Sequence, residues 1–233
     1  MSFATSPLLL RLRSATRSMG INSFIGGLLN RDGYEVKLSA AMEGAIEPGA
    51  CVWDIGANVG HYTKVFADRA GDGGMVHAFE PSSQNYARLR EFLSGRANVR
   101  LHNFGLSDAS GSASFAQGGD DLGASSRIVS SAMNGAVVTV SLRQGDELIA
   151  EGAAPAPDVI KIDVEGHELE VLRGLRSELA KSSVRHVFVE VHFALLAERG
   201  FPDGPADIES FLRRCGFTLR WIDPSHLHAF RRT

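Results

Sequence analysis

Apolar residues recur along this chain in two rhythms: short runs bounded by turns, and longer runs returning every three or four positions. The first is the rhythm of buried strands and the second that of amphipathic helices, so their alternation predicts an α/β fold. Glu35 to Ile46 carries Val36, Leu38, Met42 and Ile46 on one helical face, and Pro48-Gly49 closes it. Cys51, Val52 and Trp53 open the first strand, and Tyr62, Val65 and Phe66 mark the helix behind it. Met75 to Phe79 is the second strand, followed by a helix whose Tyr86, Leu89 and Leu93 face inward. Asn98 to His102 is the third, running into a loop from Asn103 to Asp108.

The rhythm then breaks. Ser110 to Ala136 is rich in Gly, Ser and Ala, with β-branched runs at Ile128-Val129 and Val137 to Val140 that predict a hairpin or two short strands. A short helix from Gln144 to Ala150 and a turn-rich linker from Gly152 to Pro157 lead into a fourth strand, Asp158 to Ile162, interrupted by Lys161. Leu169, Leu172 and Leu175 anchor the helix behind it, and Val184 to Val191 is the fifth strand. Ala206 to Cys215 is a helix after Pro205, and two apolar runs around Asp223-Pro224-Ser225 form a terminal antiparallel hairpin.

With 233 residues and 44% hydrophobic content, the chain can bury one sizeable core. Its net charge of −3 argues against broad nucleic-acid binding. Cys51 and Cys215 stand far apart, so no disulfide framework is suggested and a reducing, cytoplasmic location is expected. No apolar run is long enough to span a bilayer. Residues 1–48 are read as a helical cap on the substrate side and 49–233 as the main domain, with 110–142 a Gly/Ser-rich β insertion. Because no acidic residue precedes Asp32 while Arg11, Arg13, Arg17 and Arg31 are basic, a transit peptide or a peripheral contact with an anionic membrane are further readings of the start.

The candidate chemistry gathers at strand ends. Asp54 precedes a turn through Gly56, Ala57, Asn58 and Gly60, a G-x-x-x-G spacing rather than the G-x-G-x-x-G of dinucleotide folds. A carboxylate there would repel a pyrophosphate but suits a ligand ammonium, such as that of S-adenosylmethionine. Glu80 follows at about the 20-residue separation at which an acid meets a ribose diol. Pro81 stops that strand and Ser82 or Ser83 caps the next helix. Leu106 is expected to cover an adenine face and Ser107 to read its edge. The fourth strand delivers Asp163 and Glu165, then His167, to the crevice outside the carboxyl ends of the strands, and the fifth delivers Glu190 and His192.

Four stretches together resemble the FkbM family of S-adenosylmethionine-dependent methyltransferases: Asp54 to Gly60, Phe79-Glu80-Pro81, Gly105 to Asp108, and Ile160 to His167. The resemblance runs from about Gly33 to about Phe193. It implies a class I methyltransferase fold, a seven-stranded, mostly parallel sheet with helices on both faces and its last strand antiparallel. It also implies methylation of an oxygen on a sugar, polyketide or related natural product, so the expected partner is a small-molecule or glycan acceptor. Two residues depart from the pattern. Arg143 follows Leu142 where an aspartate is usual, the next acid being Asp146, and Trp53 is bulkier than expected.

For an aliphatic hydroxyl acceptor a base is useful. His167 is the first candidate, oriented by Asp163 or Glu165, and His192 the second, oriented by Glu190. Asp163 is expected nearest the sulfonium. No metal is expected, although Asp163, Glu165, Glu190 and His192 are the set that Mg²⁺ would use. The alternatives are an inactive cofactor-binding partner module and an NAD-linked oxidoreductase.

Overall fold

The computed structural model describes residues 31–116, 127–128 and 137–232. The basic stretch before Asp32 and most of the Gly/Ser-rich stretch lie outside the described residues, and with them the readings made there. The chain runs α1 (Arg31–Ala45), β1 (Cys51–Ile55), α2 (His61–Ala70), β2 (Met75–Phe79), α3 (Ser83–Phe92) and β3 (Val99–His102). It continues through β4 (Gly105–Ser107), β5 (Gly111–Ala116), β6 (Arg127–Ile128), β7 (Val137–Gln144) and α4 (Gly145–Ala150). Then come β8 (Val159–Ile162), α5 (Glu168–Gly174), α6 (Arg176–Leu179), β9 (His186–Glu190), α7 (Phe193–Glu198), α8 (Gly204–Arg214), β10 (Thr218–Trp221) and β11 (His226–Phe230).

The main sheet has seven strands in the order β10-β11-β9-β8-β1-β2-β3. β9, β8, β1, β2 and β3 are parallel neighbours, and β11 lies antiparallel against both β9 and β10. Side chains alternate across this sheet, so each strand feeds two cores. Val52, Val76, Val159 and Phe188 point to the layer where Met42 of α1, Phe66 of α2 and Leu89 of α3 pack. Trp53, Phe79, Ile160 and Val187 point to the opposite layer, filled by Leu169 and Leu172 of α5, Leu196 of α7 and Ile208 of α8. The large ring of Trp53 is accommodated there: it is fully buried, packs on Phe79 with ring centroids 5.0 Å apart, and donates from Nε1 to the Pro155 carbonyl at 3.1 Å.

The expected loop after β3 is a correction. Gly105–Ser107 is a strand, β4, at the end of a second sheet ordered β4-β7-β5-β6, where it pairs in parallel with β7. The two expected strands, β6 and β7, do not pair with each other: β5, which the sequence did not mark, lies between them, antiparallel to β7 from Gly111↔Leu142 to Ala116↔Val137 and to β6 on its other side. This sheet leans on α5 so closely that a Cβ at Gly174 would lie 1.9 Å from the Ser107 carbonyl oxygen. Among the described residues both cysteines are free thiols, and no helix is long and apolar enough to cross a membrane.

Candidate active site

The glycine loop is organised from within. Gly56 and Ala57 donate their backbone N–H groups to the Phe79 carbonyl, each at 3.0 Å, and Gly60 donates to the Ala57 carbonyl at 2.9 Å. Gly56 and Gly60 sit at φ of 80° and 95°, the left-handed region that glycine enters without strain. Both are also pressed by protein: a Cβ at Gly56 would stand 1.8 Å from the Asp163 carbonyl oxygen, and one at Gly60 would stand 2.6 Å from Leu89. Neighbouring backbone and side chains, before any ligand, dictate these glycines.

Asp54 also looks inward. Its side chain is fully buried; Oδ2 accepts a 2.6 Å hydrogen bond from the Thr63 hydroxyl, and Oδ1 accepts one of 3.1 Å from Lys161 Nζ. The sequence suggested a ligand ammonium at Asp54; the ammonium it meets is that of Lys161. That lysine is buried too, and its Nζ also donates to the Gly56 carbonyl at 3.1 Å and lies 3.5 Å from Asp163 Oδ2. Burial works against its charge, but Asp54 and Asp163 outweigh it and hold its pKa above the usual lysine value. Lys161 is the residue that sequence reasoning passed over. The available signal was a lone cation inside an apolar strand, and the structure sets it directly across from Asp54 in the β1–β8 register.

Glu80 closes the other side of the loop. Its Oε2 accepts from the Asn58 N–H at 2.9 Å and its Oε1 from the Ser82 N–H at 2.8 Å. Burial pushes its pKa up to about 7 against those two bonds. Ser82 turns its hydroxyl to the Asn85 N–H at 3.3 Å and so caps α3. A carboxylate has about four lone-pair positions, so Glu80 keeps two for a ligand. Asn58, at φ 51°, carries a buried Oδ1 with no hydrogen-bond partner. An orphaned acceptor beside a half-used carboxylate fits a ligand rich in hydrogen-bond donors, as a nucleoside with an amino acid attached would be.

The two candidate histidines part company. Glu165 and Gly166 both take left-handed backbone, at φ 51° and 89°, so the chain reverses between Asp163 and His167. His167 consequently faces β4, where its Nε2 lies 2.9 Å from Ser107 Oγ, and Glu170 stands 3.7 Å from Nδ1. Burial pushes its pKa down, and its buried Nδ1 has no hydrogen-bond partner. Asp163 and Glu165, expected to orient His167, gather around His192 instead. His192 Nε2 is 3.3 Å from Glu165 Oε2, 3.8 Å from Asp163 Oδ1 and 3.9 Å from Glu190 Oε1. Its Nδ1 is 2.7 Å from Oε1 of the fully buried Glu168. Burial alone would depress this imidazole, but Glu168, Glu165 and Asp163 push it up to about 10. Burial in turn raises Asp163, and takes Glu165 to about 7.

Behind the cluster runs a second pair that the sequence did not flag, because it read Asp223-Pro224-Ser225 only as a turn. His226 Nε2 is 3.3 Å from Glu190 Oε2, and its Nδ1 is 2.7 Å from Asp223 Oδ2. Leu106, expected over an adenine, is buried in the core beside Trp53 and Phe79. The departure at Arg143 is peripheral: its guanidinium meets Glu151 at 2.7 Å on the surface. Asp146 receives the N–H groups of Ser177 and Glu178, at 2.7 and 3.0 Å, at the start of α6.

A parallel five-strand run extended by an antiparallel β11, with the glycine loop and the acids at the strand ends, defines the class I methyltransferase fold. The chain belongs to the FkbM methyltransferase family: the methyltransferase FkbM domain matches residues 54–219, which include the loop, Glu80 and the whole His192 cluster. That membership displaces the nicotinamide-linked alternative. Among its relatives is the hexuronic acid methyltransferase AglP of Haloferax volcanii, 37% identical over 143 residues, covering 60% of this chain and 55% of the relative. Another is the 31-O-demethyl-FK506 methyltransferase FkbM of Streptomyces tacrolimicus, 30% identical over 204 residues and covering 75% of each chain. The chain thus spans little more than half the length of the first. A solved FkbM methyltransferase from Methylobacillus flagellatus shares the fold with a TM-score of 0.54 at 16% identity, over 82% of this chain and 50% of that one.

Proposed function

We propose that this chain transfers the methyl group of S-adenosylmethionine to a hydroxyl oxygen of a sugar or related small natural product. The observation that carries the reading is the family domain over residues 54–219, within which the glycine loop, Glu80 and the His192 cluster all follow the carboxyl ends of the neighbouring strands β2, β1, β8 and β9. The relatives' names, a hexuronic acid methyltransferase and a 31-O-demethyl-FK506 methyltransferase, support oxygen as the acceptor atom and a small molecule as its bearer.

The cofactor, when bound, supplies a methyl group made electrophilic by a sulfonium. Glu80, with its two free lone-pair positions, is suited to ribose hydroxyls, and Asn58 Oδ1 to a further donor. Gly56, Ala57 and Gly60 hold the loop's shape, Ser82 fixes the Glu80 carboxylate, and Lys161 with Asp54 holds the loop to β8. Leu106 packs in the core with Trp53 and Phe79, and Ser107 holds His167 against β4. Glu165 accepts a hydrogen bond from the acceptor hydroxyl and takes its proton as the new oxygen–methyl bond forms, and His192, held by Glu168, keeps Glu165 and Asp163 in place. Positioning of this kind accounts for much of the rate of an in-line displacement. His167, turned toward Ser107, is a positioning residue for β4 rather than the base.

Calorimetric titration of S-adenosylhomocysteine and of NAD into the wild-type chain and the Glu80→Ala variant tests the cofactor. Binding of the first, weakened in the variant, with no heat from NAD, is the expected result. Transfer of labelled methyl to a panel of hexuronic acids and neutral sugars then tests the acceptor class. A folded chain that ignores S-adenosylhomocysteine overturns the reading.

A further inference from the structure

His192 is built as a metal ligand is built. A ligating imidazole commonly gives one ring N–H to a buried carboxylate, which fixes the tautomer and turns the other nitrogen's lone pair outward. Glu168 does this here: fully buried, it receives Nδ1 at 2.7 Å and the Gly166 N–H at 3.0 Å on the same oxygen. Its other oxygen is buried and has no hydrogen-bond partner among the described residues.

The outward nitrogen meets oxygens at ligand spacing. One atom each from Asp163, Glu165 and His192 lie within 4.8 Å of one another. Nε2 is 3.3 Å from Glu165 Oε2 and 3.8 Å from Asp163 Oδ1. Two donors each ~2.1 Å from an ion stand roughly 3.0 Å apart at a right angle and roughly 3.4 Å apart at the tetrahedral angle. Nε2 and Glu165 Oε2 already stand at that spacing, and Asp163 Oδ1 reaches it by turning its carboxylate inward. The nearby cations are already engaged: Lys161 with Asp54 and the Gly56 carbonyl, and His226 with Asp223. Asp163 divides its oxygens accordingly, Oδ2 toward Lys161 and Oδ1 toward His192.

The geometry points to a divalent first-row cation held by Asp163 Oδ1, Glu165 Oε2 and His192 Nε2, with Glu190 beside it and Glu168 as the buried support. One imidazole with two carboxylates suits Mn²⁺ better than Mg²⁺, which favours an all-oxygen shell. Three protein ligands leave coordination positions open. These can take two adjacent oxygens of an acceptor, a hydroxyl and its neighbouring hydroxyl or carboxylate, and so orient it. The role of the ion rests on the proposed methyl transfer; its binding does not, and the two are measured separately.

The test is a Mn²⁺ titration of the full chain followed by electron paramagnetic resonance, with S-adenosylhomocysteine binding measured calorimetrically on the same sample. One bound Mn²⁺ per chain is expected, with Mg²⁺ a weak competitor. Glu165→Gln and Asp163→Asn, each checked for folding by circular dichroism, should lose the bound signal. Glu168→Gln should weaken it by roughly 10- to 100-fold. A folded wild type that binds S-adenosylhomocysteine but leaves Mn²⁺ free at millimolar concentration overturns the metal site while sparing the methyltransferase reading. Equal Mn²⁺ binding by wild type and by both folded ligand variants overturns it as well.

Discussion

Two charged clusters sit at the carboxyl ends of the central strands, and they are satisfied to different degrees. In the first, Asp54, Thr63 and Lys161 answer one another: both oxygens of Asp54 are used, and the lysine ammonium divides among Asp54, the Gly56 carbonyl and Asp163. In the second, Asp163, Glu165, Glu168 and Glu190 crowd one imidazole, and a buried oxygen of Glu168 has no partner. A complete ion pair fastens structure, whereas carboxylates in excess over their cations raise one another's pKa, as burial and like charge do at Asp163 and Glu165. Buried charge carries a cost in either cluster; the chain offsets it in the first with Lys161 and in the second with His192 and His226, which face more carboxylates than they can fully pair.

The sharpest way to break the first cluster is Lys161→Met, which strands a fully buried carboxylate. Loss of one partner of a buried pair costs ~3–5 kcal/mol, so urea denaturation should show a shift of that size. Adding Asp54→Asn should return part of it, and an additive second loss would sink the pairing argument. Glu80→Ala comes next, because it frees the Asn58 and Ser82 N–H groups from their acceptor. Leaving such groups unpaired costs about 1–3 kcal/mol, and S-adenosylhomocysteine affinity should fall by a comparable free energy in calorimetry.

A third prediction separates the sheet's own acid sensitivity from that of the strand-end clusters. His77 and His102 stack between β2 and β3 with Nδ1 and Nε2 3.0 Å apart, and burial pushes each down from 6.5 to about 4. The unfolded chain therefore binds more protons between those two values, so stability is full above about 6.5 and falls as the pH drops toward 4. Thermal melting against pH should show that slope, and His102→Phe should reduce it, the rest staying with the stacked pair His186 and His228, which burial also pushes down. An unchanged slope would place the acid sensitivity elsewhere. The smallest effect belongs to Arg143→Ala. Its bridge to Glu151 is half exposed, so stability should move by less than about 0.5 kcal/mol in the same melts, with cofactor affinity unchanged.

What could be read beforehand follows the range of the interactions. Strands ending in Asp54, Glu80 and Asp163 announce themselves locally, through an apolar run, an acid and then Gly or Pro. The main sheet with its terminal hairpin follows from those runs. Lys161 did not announce itself, because its partner lies 107 positions away and the pairing exists only once β8 docks on β1. β4 was hidden because three residues carry no periodicity and their partner strand lies beyond the Gly/Ser-rich stretch. The expected orientation of His167 by Asp163 or Glu165 missed the backbone reversal at Glu165 and Gly166, which leaves both carboxylates against His192. Glycine signalled a turn there, but a glutamate at φ 51° has no mark in the sequence.

The placement of Asp54 opposite Lys161 bears on how the chain finds its register. Parallel strands brought together across more than a hundred residues have many near-miss alignments, and hydrophobic side chains alone distinguish them weakly. Here a slip of one residue would set Asp54 against Ile160 or Ile162 and bury two opposite charges out of reach of each other. The centre of the sheet thus specifies its own register: a misaligned β8 would bury Asp54 and Lys161 without each other, an electrostatic penalty that the native pairing alone avoids.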